Sequence, residues 1–217
     1  MELARAMGAL SAGALNTLLV TFAAMGLGLA GGVGLVLGHQ LAGRRGRAAL
    51  RAGTYAAQSV PALVLVFMAM FGLPRIGVEL PPFATVAGCL GLVAAANSGE
   101  VLLGALRSVE PLQREAGLAL GMTERRAFWS VLLPQAWRHS VPGLVNEFTN
   151  VLKSSPFAYV AGVPEILKEA HALTATTSRG LPTYAAAALL YLGLYLGCNA
   201  AFRGVQRRTR IPGFGEE

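Results

Sequence analysis

Five stretches of this chain are so long and so poor in charge that hydrocarbon is their natural surroundings, and they limit the possible folds more than any other feature. Ala6–Gly38, Ala52–Pro74, Leu80–Gly99 and Gly180–Phe202 carry no charged side chain at all. A helix crosses the roughly 30 Å hydrocarbon core of a bilayer with about 20 residues, so each is long enough to span. A further stretch, Val141–Pro164, is apolar except for Glu147 and Lys153 and is read as a span with polar side chains. With no water to satisfy backbone groups in lipid, such segments must be helices. The expectation is an all-α membrane protein of five transmembrane helices, with residues 1–217 forming one transmembrane domain.

Composition agrees. Of 217 residues, 54% are hydrophobic and only 13% are charged, too little charge to coat a soluble domain. The first apolar run is too long for a secretory signal, and a basic cluster follows it in place of a cleavage site. The two cysteines, Cys89 and Cys198, both sit inside apolar runs and point to packing, not to a disulfide framework or a metal site.

The net charge of +7 does not point to nucleic acid, because the basic residues lie in short clusters between apolar runs, without interleaved exposed aromatics. They follow instead the pattern that orients membrane proteins. Arg44, Arg45, Arg47 and Arg51 follow the first span. Arg107, Arg114, Arg125, Arg126 and Arg138 lie between the third and fourth, and Arg203, Arg207, Arg208 and Arg210 follow the fifth. Five crossings put all of these on one side, leaving Arg5, Arg75, Lys168 and Arg179 on the other. The rich side is cytoplasmic, which places the N-terminus outside and the C-terminus inside.

Small residues recur within the spans. Gly28/Gly32, Gly34/Gly38 and Gly193/Gly197 have the spacing that permits close helix approach, although glycine is also simply tolerated in membrane helices. Residues 26–31 match the G-x-G-x-x-G pattern, but within a span, with no preceding strand, so no nucleotide site is assigned. There is no phosphate-binding G-x-x-x-x-G-K-[ST] loop, and His39, His139 and His171 are too scattered to suggest a metal centre. No catalytic constellation is evident.

One segment departs from this oily background. "REAGLALGMTERRAFWSVLLP", Arg114–Pro134, carries acids and arginines together. Glu110 and Pro111 suit a helix start, and Leu112, Ala116, Ala119 and Leu120 give an apolar face at helical spacing. Gly121 is placed to end that helix, and Thr123 to cap a second whose apolar face is Phe128, Val131 and Leu132. Pro134 predicts a further break. The reading is a short helix, a sharp turn and a second helix lying on the membrane surface, spanning residues 111–134.

Glu115-Ala116-Gly117, three residues, Gly121, nine residues, then Val131-Leu132-Leu133-Pro134 resembles the "E-A-A, x3, G, x9, I-x-L-P" signature of the membrane subunits of ATP-binding-cassette (ABC) importers. Gly117 departs from the second alanine and Val131 from the isoleucine. Further matches cover nearly the whole chain and are similar to the histidine- and glutamine-type polar-amino-acid permeases: Pro61, residues 71–83 (FGLPRIGVELPPF), Glu100, Gly104, Ser108, Gln113, residues 133–136 (LPQA), the N-x-F-x-N-x-L-K run of 146–153, and Gly162.

The resemblance implies a type I ABC importer transmembrane domain whose cytoplasmic coupling helix docks on a separate ATPase. Glu115, Ala116, Gly117, Gly121 and Pro134 would form the coupling element. This chain would bind no cofactor, with ATP and Mg held by ABC ATPase subunits. A second permease, identical or homologous, would complete the path. An extracytoplasmic solute-binding protein would deliver a polar amino acid or related solute. The setting would be a bacterial inner membrane, with lipids as further partners and no nucleic acid. Arg125 and Arg126 would face either acids of the ATPase or lipid headgroups. The competing class is a stand-alone secondary transporter or channel, disfavoured because no inverted repeat is evident.

Within the fourth span, Asn146, Asn150 and Lys153 share a helical face, with Glu147 and Ser154 beside it. Ionisable residues in a span point to function by default. The stripe would line a substrate path; alternatively it seals a subunit interface, or Lys153 snorkels or pairs with Glu147. Asn97 and Glu100 are read as closing the third span near the cytoplasm, Glu100 as an interfacial cap. The family's usual Arg-Gly-Thr-Pro in span two is replaced by Gln58-Ser59-Val60-Pro61, the glutamine that usually follows is Leu65, and Ser154 stands where aspartate is common. Selectivity is therefore not carried over from relatives.

Overall fold

A computed structural model describes residues 2–109 and 111–209. Glu110 and Arg210, used above for a helix start and for the charge balance, lie outside the described residues. The described chain is helical throughout: α1 (Glu2–Leu41), α2 (Arg44–Ser59), α3 (Ala62–Gly72), α4 (Pro82–Ser108), α5 (Pro111–Ala119), α6 (Glu124–Ala127), α7 (Leu133–Ser154), α8 (Ile166–Thr177) and α9 (Gly180–Thr209), with short 3₁₀ turns at Leu73–Ile76 and Ser155–Tyr159.

α1 lies along α4, and α7 packs against α4 and α9. The core between them is built from Val20, Ala24, Leu90, Ala94, Phe148 and Val151, with Cys89 and Cys198 packed at its margin as free thiols. The α1–α4 seam is close because its residues are small. A Cβ added at Gly28 would stand 2.6 Å from the Ala94 Cβ, and one at Gly32 2.9 Å from the Gly99 backbone nitrogen. The Gly28/Gly32 pair is thus a packing device, as its spacing suggested. A Cβ added at Gly38 would stand 3.1 Å from the Leu50 side chain, whereas one at Gly34, Gly193 or Gly197 would meet nothing within 4 Å.

This difference has a measurable consequence. Glycine-to-alanine substitution in a helix gains about 1 kcal/mol of propensity. At Gly193 nothing opposes that gain. At Gly32 the new methyl meets backbone, and overpacking of this kind costs about 1–3 kcal/mol. Gly32→Ala should therefore lower the Tm of the detergent-purified chain by several degrees, while Gly193→Ala should leave it level or slightly raised.

Among the described residues, three helical segments are long and apolar enough to cross a membrane, Gly8–Leu41, Pro82–Ser108 and Gly180–Arg207; a bent pair, Arg44–Ser59 with Ala62–Ile76, makes four. The expected fourth span, α7, is long enough but too polar to count with these, since Gln135, Arg138, His139, Asn146, Glu147, Asn150 and Lys153 lie within it. Five crossings are therefore not reached on these grounds.

Several boundaries differ from expectation. The second apolar run is not one rod: α2 and α3 meet at 93°. Pro61 is the cause, since it has no N–H to continue the ladder and forces Val60 into an extended conformation (ψ 124°). The third span runs on to Ser108, so Asn97 and Glu100 lie inside α4 and do not cap it. Val141–Pro164 is not one helix either: α7 starts earlier, at Leu133, and stops at Ser154. The chain then turns through Ser155–Tyr159 and Gly162 (φ 82°) before α8, a helix that apolar length alone did not signal.

Candidate functional site

The polar mid-chain segment folds as a helical hairpin. α5 ends at Ala119, and the chain reverses through Gly121 at φ 79°. Gly121 N–H donates to the Leu118 carbonyl (2.9 Å) and Met122 N–H to the Gly117 carbonyl (3.1 Å), the paired bonds that close a glycine-terminated helix. A Cβ at Gly121 would meet nothing within 4 Å, so the demand for glycine is one of backbone conformation, not of space. Thr123 caps α6 as expected, its side chain accepting from the Arg126 N–H at 3.3 Å.

Arg114 and Glu124 form an ion pair across the hairpin, with Nε to Oε2 at 2.9 Å. Both are about half exposed, so the pair braces geometry more than it adds stability. Gly117 is buried against Ala127; an alanine Cβ in its place would stand 3.4 Å from the Ala127 Cβ, so the family's residue would just fit.

The remaining face of α5 has no covering among the described residues. Leu112 is 67% exposed and Leu120 81%, and Glu115, Ala116 and Ala119 are exposed beside them. Glu115 makes no hydrogen bond or ion pair among the described residues.

Pro134 does not break the chain, contrary to expectation. α6, a π-helical turn (Phe128–Leu132) and α7 follow one another without interruption. Leu133 N–H reaches back to the Phe128 carbonyl, five residues away. A widened turn of this kind absorbs the missing N–H of Pro134, which sits in the first turn of α7. Residues 124–154 are therefore one uninterrupted helical run, with Pro142 inside α7, and its first part is not a separate surface helix.

The stripe lies farther along that run. Asn146, Asn150 and Lys153 are exposed on one face, Ser154 is half-buried, and Glu147 is buried at 5% exposure. Glu147 anchors a network no linear pattern revealed. Asn97 Nδ2 donates to its Oε1 at 2.9 Å, and Asn150 Nδ2 to its Oε2 at 3.4 Å. Gln58 Nε2 in turn donates to Asn97 Oδ1 at 3.0 Å. The series ties the last turn of α2, just before the Pro61 bend, through α4 to α7. Lys153 does not pair with Glu147; its Nζ lies over the Tyr195 ring, 5.1 Å from the centroid. Glu100 is exposed and outside the network.

Glu165 was not anticipated. It is fully buried at the start of α8, where its Oε1 accepts from the Lys168 N–H at 2.8 Å and its Oε2 from the Tyr191 hydroxyl. Asn16 Nδ2 donates to the adjacent Pro164 carbonyl at 2.7 Å, fastening α1 to the same point. No standard helix-start pattern marked it, since Glu165 is itself the N-cap, where Ser, Thr, Asp or Asn is the usual signal. Among the described residues no cluster of His, Cys, Asp or Glu has the arrangement to hold a metal ion.

A family model described as binding-protein-dependent transport system inner membrane component matches residues 30–211. The chain is 33% identical over 175 residues to the octopine transport system permease protein OccQ of Rhizobium meliloti, a match covering 75% of this chain and 74% of that protein. It is 28% identical over 154 residues to the probable glutamine ABC transporter permease protein GlnP of Bacillus subtilis, covering 70% and 71%. Among solved structures, an amino acid ABC transporter crystallised with histidines superimposes with a TM-score of 0.90 at 26% identity, over 95% of this chain and 97% of the other.

Proposed function

The chain belongs to the family of binding-protein-dependent transport system inner membrane components, and from that membership we infer how its residues work. It is a permease subunit of an ABC importer with the type I transmembrane fold, and its substrate is an amino acid or a related small solute, as in relatives named for octopine and glutamine transport. Family membership displaces the stand-alone transporter or channel reading. ATP hydrolysis takes place on separate ATPase subunits that hold ATP and Mg. A solute-binding protein delivers the solute, and a second permease, identical or homologous, completes the path. α7 makes the fifth crossing. The arginine-rich side is the cytoplasm of a bacterial inner membrane, with the N-terminus outside.

In this reading residues 111–134 are the coupling element, and Glu115, Ala116, Gly117, Gly121 and Pro134 are its key positions. Leu112, Glu115 and Leu120 are an uncovered face suited to a groove on the ATPase. The single observation that carries the mechanism is the continuity of the helical run. A displacement imposed on the hairpin moves residues 124–154 as one body, and that body carries Asn146, Glu147, Asn150, Lys153 and Ser154. Glu147 receives the substrate's ammonium group, and the amides of Asn146 and Asn150 serve its carboxylate. The Gln58–Asn97 series holds the Glu147 carboxylate in place.

Reversing the charge at Glu115 tests the docking. Like-charge or mismatched pairs at an interface cost several kcal/mol. Glu115→Lys should reduce co-purification with the ATPase and cut ATP-driven uptake at least about tenfold. The variant chain should still insert in the membrane. Undiminished co-purification and uptake would remove Glu115 from the interface.

A further inference from the structure

An apolar groove of about 850 Å³ runs between the end of α1, one face of α2 and the middle of α4. That volume lies within the roughly 300–1,000 Å³ typical of ligand sites. Gly31 and Gly38 of α1, Leu50, Gly53 and Ala57 of α2, and Ala95 of α4 are among its lining. The α2 residues among them recur at three- and four-residue intervals, so the groove takes a full helical face. α1 and α4 are two of the helices apolar enough to cross a membrane, so the groove runs along membrane-spanning segments.

Its mouth is cationic. Arg44, Arg45, Arg47 and Arg51 are all exposed at the start of α2. At about 100° per residue, Arg45 and Arg47 flank the groove-facing side on opposite edges, while Arg44 and Arg51 fall on the far side of α2. Arg47 donates its Nε to the Ala42 carbonyl at 2.8 Å; Arg44, Arg45 and Arg51 have no hydrogen bond or ion pair among the described residues. No acidic residue occurs between Glu2 and Glu79, so the neighbouring sequence holds no counter-ion. Orientation by positive charge needs arginines near a span's end, but it does not need them around an open apolar groove.

We propose that this groove binds an anionic phospholipid, with acyl chain laid along Gly38, Leu50, Gly53 and Ala57 and phosphate held by Arg45 and Arg47 at its edges. Forked guanidinium groups match phosphate oxygens two at a time. A second copy of the chain seated at this groove by the same face is a poorer occupant, because it would bring its own arginines 44–51 against these, like charge to like. The site is separate from the substrate path and does not depend on the transported solute.

The test is native mass spectrometry of the full detergent-purified chain offered equimolar phosphatidylglycerol and phosphatidylcholine of the same acyl composition. The chain should retain phosphatidylglycerol at least about tenfold over phosphatidylcholine, since each arginine near an anionic headgroup adds about fivefold. Joint Arg45→Gln and Arg47→Gln should bring that preference below about threefold, while Arg44→Gln on the far side of α2 should leave most of it. The corresponding double lysine variant keeps the charge that orients the segment and loses the fork, and should fall between. Gly53→Leu leaves every arginine in place but fills the groove, and should reduce retention of both lipids. Equal retention of the two lipids by the unaltered chain, or a preference that survives the glutamine substitutions, would overturn the proposal. So would a disulfide joining two copies through Ala49→Cys in a Cys89→Ala, Cys198→Ala background, because that would assign the groove to a second permease.

Discussion

Glu147→Gln is expected to lower uptake by roughly ten- to 150-fold while leaving the protein folded and assembled with its ATPase. Glu147 is the one buried carboxylate of the polar stripe, and glutamine keeps its shape but not its charge. A hydrogen bond to a charged group contributes about 1.5–3 kcal/mol, which sets the range. Two amides, Asn97 and Asn150, donate to the carboxylate, and a glutamine side chain has a single oxygen with which to accept from both. If the residue served only to join α4 to α7, the same substitution would instead lower thermal stability and leave uptake per folded transporter unchanged. Asn97→Leu separates the roles further. It removes the support of Glu147 without removing the charge, so it should raise the substrate concentration needed for half-maximal uptake more than it lowers the maximal rate. Full uptake by Glu147→Gln would end the assignment of this stripe to the substrate path.

The second large effect is expected at Gly121. Its φ of 79° lies in the left-handed region, which costs an ordinary residue about 1–2 kcal/mol and a β-branched one more. Gly121→Val should open the closure made by the Met122 and Gly121 N–H groups and change the angle between α5 and α6. ATP hydrolysis would then proceed with uptake reduced about tenfold or more, in a chain that still inserts. Gly121→Asn is the control. Asparagine tolerates this conformation, and no neighbour stands within 4 Å of the new Cβ, so most of the uptake should survive. Equal loss in both variants would show that the site rejects side chains by contact with a partner. Full uptake in the valine variant would show that the turn does not transmit motion.

The mid-chain hairpin was legible in the sequence because its determinants are local. A glycine that ends a helix, a threonine that caps the next and an acid in its first turn act within a few residues, and all three took the roles their positions suggested. The Gly28/Gly32 pair was legible for a similar reason, since close packing needs small residues at a fixed interval. Pro134 was misread, because a missing N–H can be absorbed by a π-turn as well as by a break, and only the surrounding hydrogen bonds decide between them. Pro61 erred in the other direction: an apolar run around a single proline looked like one rod but bends by 93°.

The stripe on α7 divides the same way. Helical periodicity put Asn146, Asn150 and Lys153 on one face, and they are all exposed there. It could not tell whether Lys153 would reach Glu147 or something else. That depended on α9 bringing Tyr195 beneath the ammonium group, and on α4 bringing Asn97 to the carboxylate.

By itself the sequence determined what the chain's solvent would be, how its charge is divided between segments, where its mid-chain helix would turn, and which polar residues share a helical face. These follow from transfer free energies and backbone preferences, which act residue by residue or over one helical turn. Only the tertiary structure decided that Gln58, Asn97 and Glu147 form one series, that Glu165 is buried beneath Tyr191, and that hairpin and stripe belong to a single helical run. Contacts between residues tens of positions apart depend on which helices pack side by side, and no local preference carries that information.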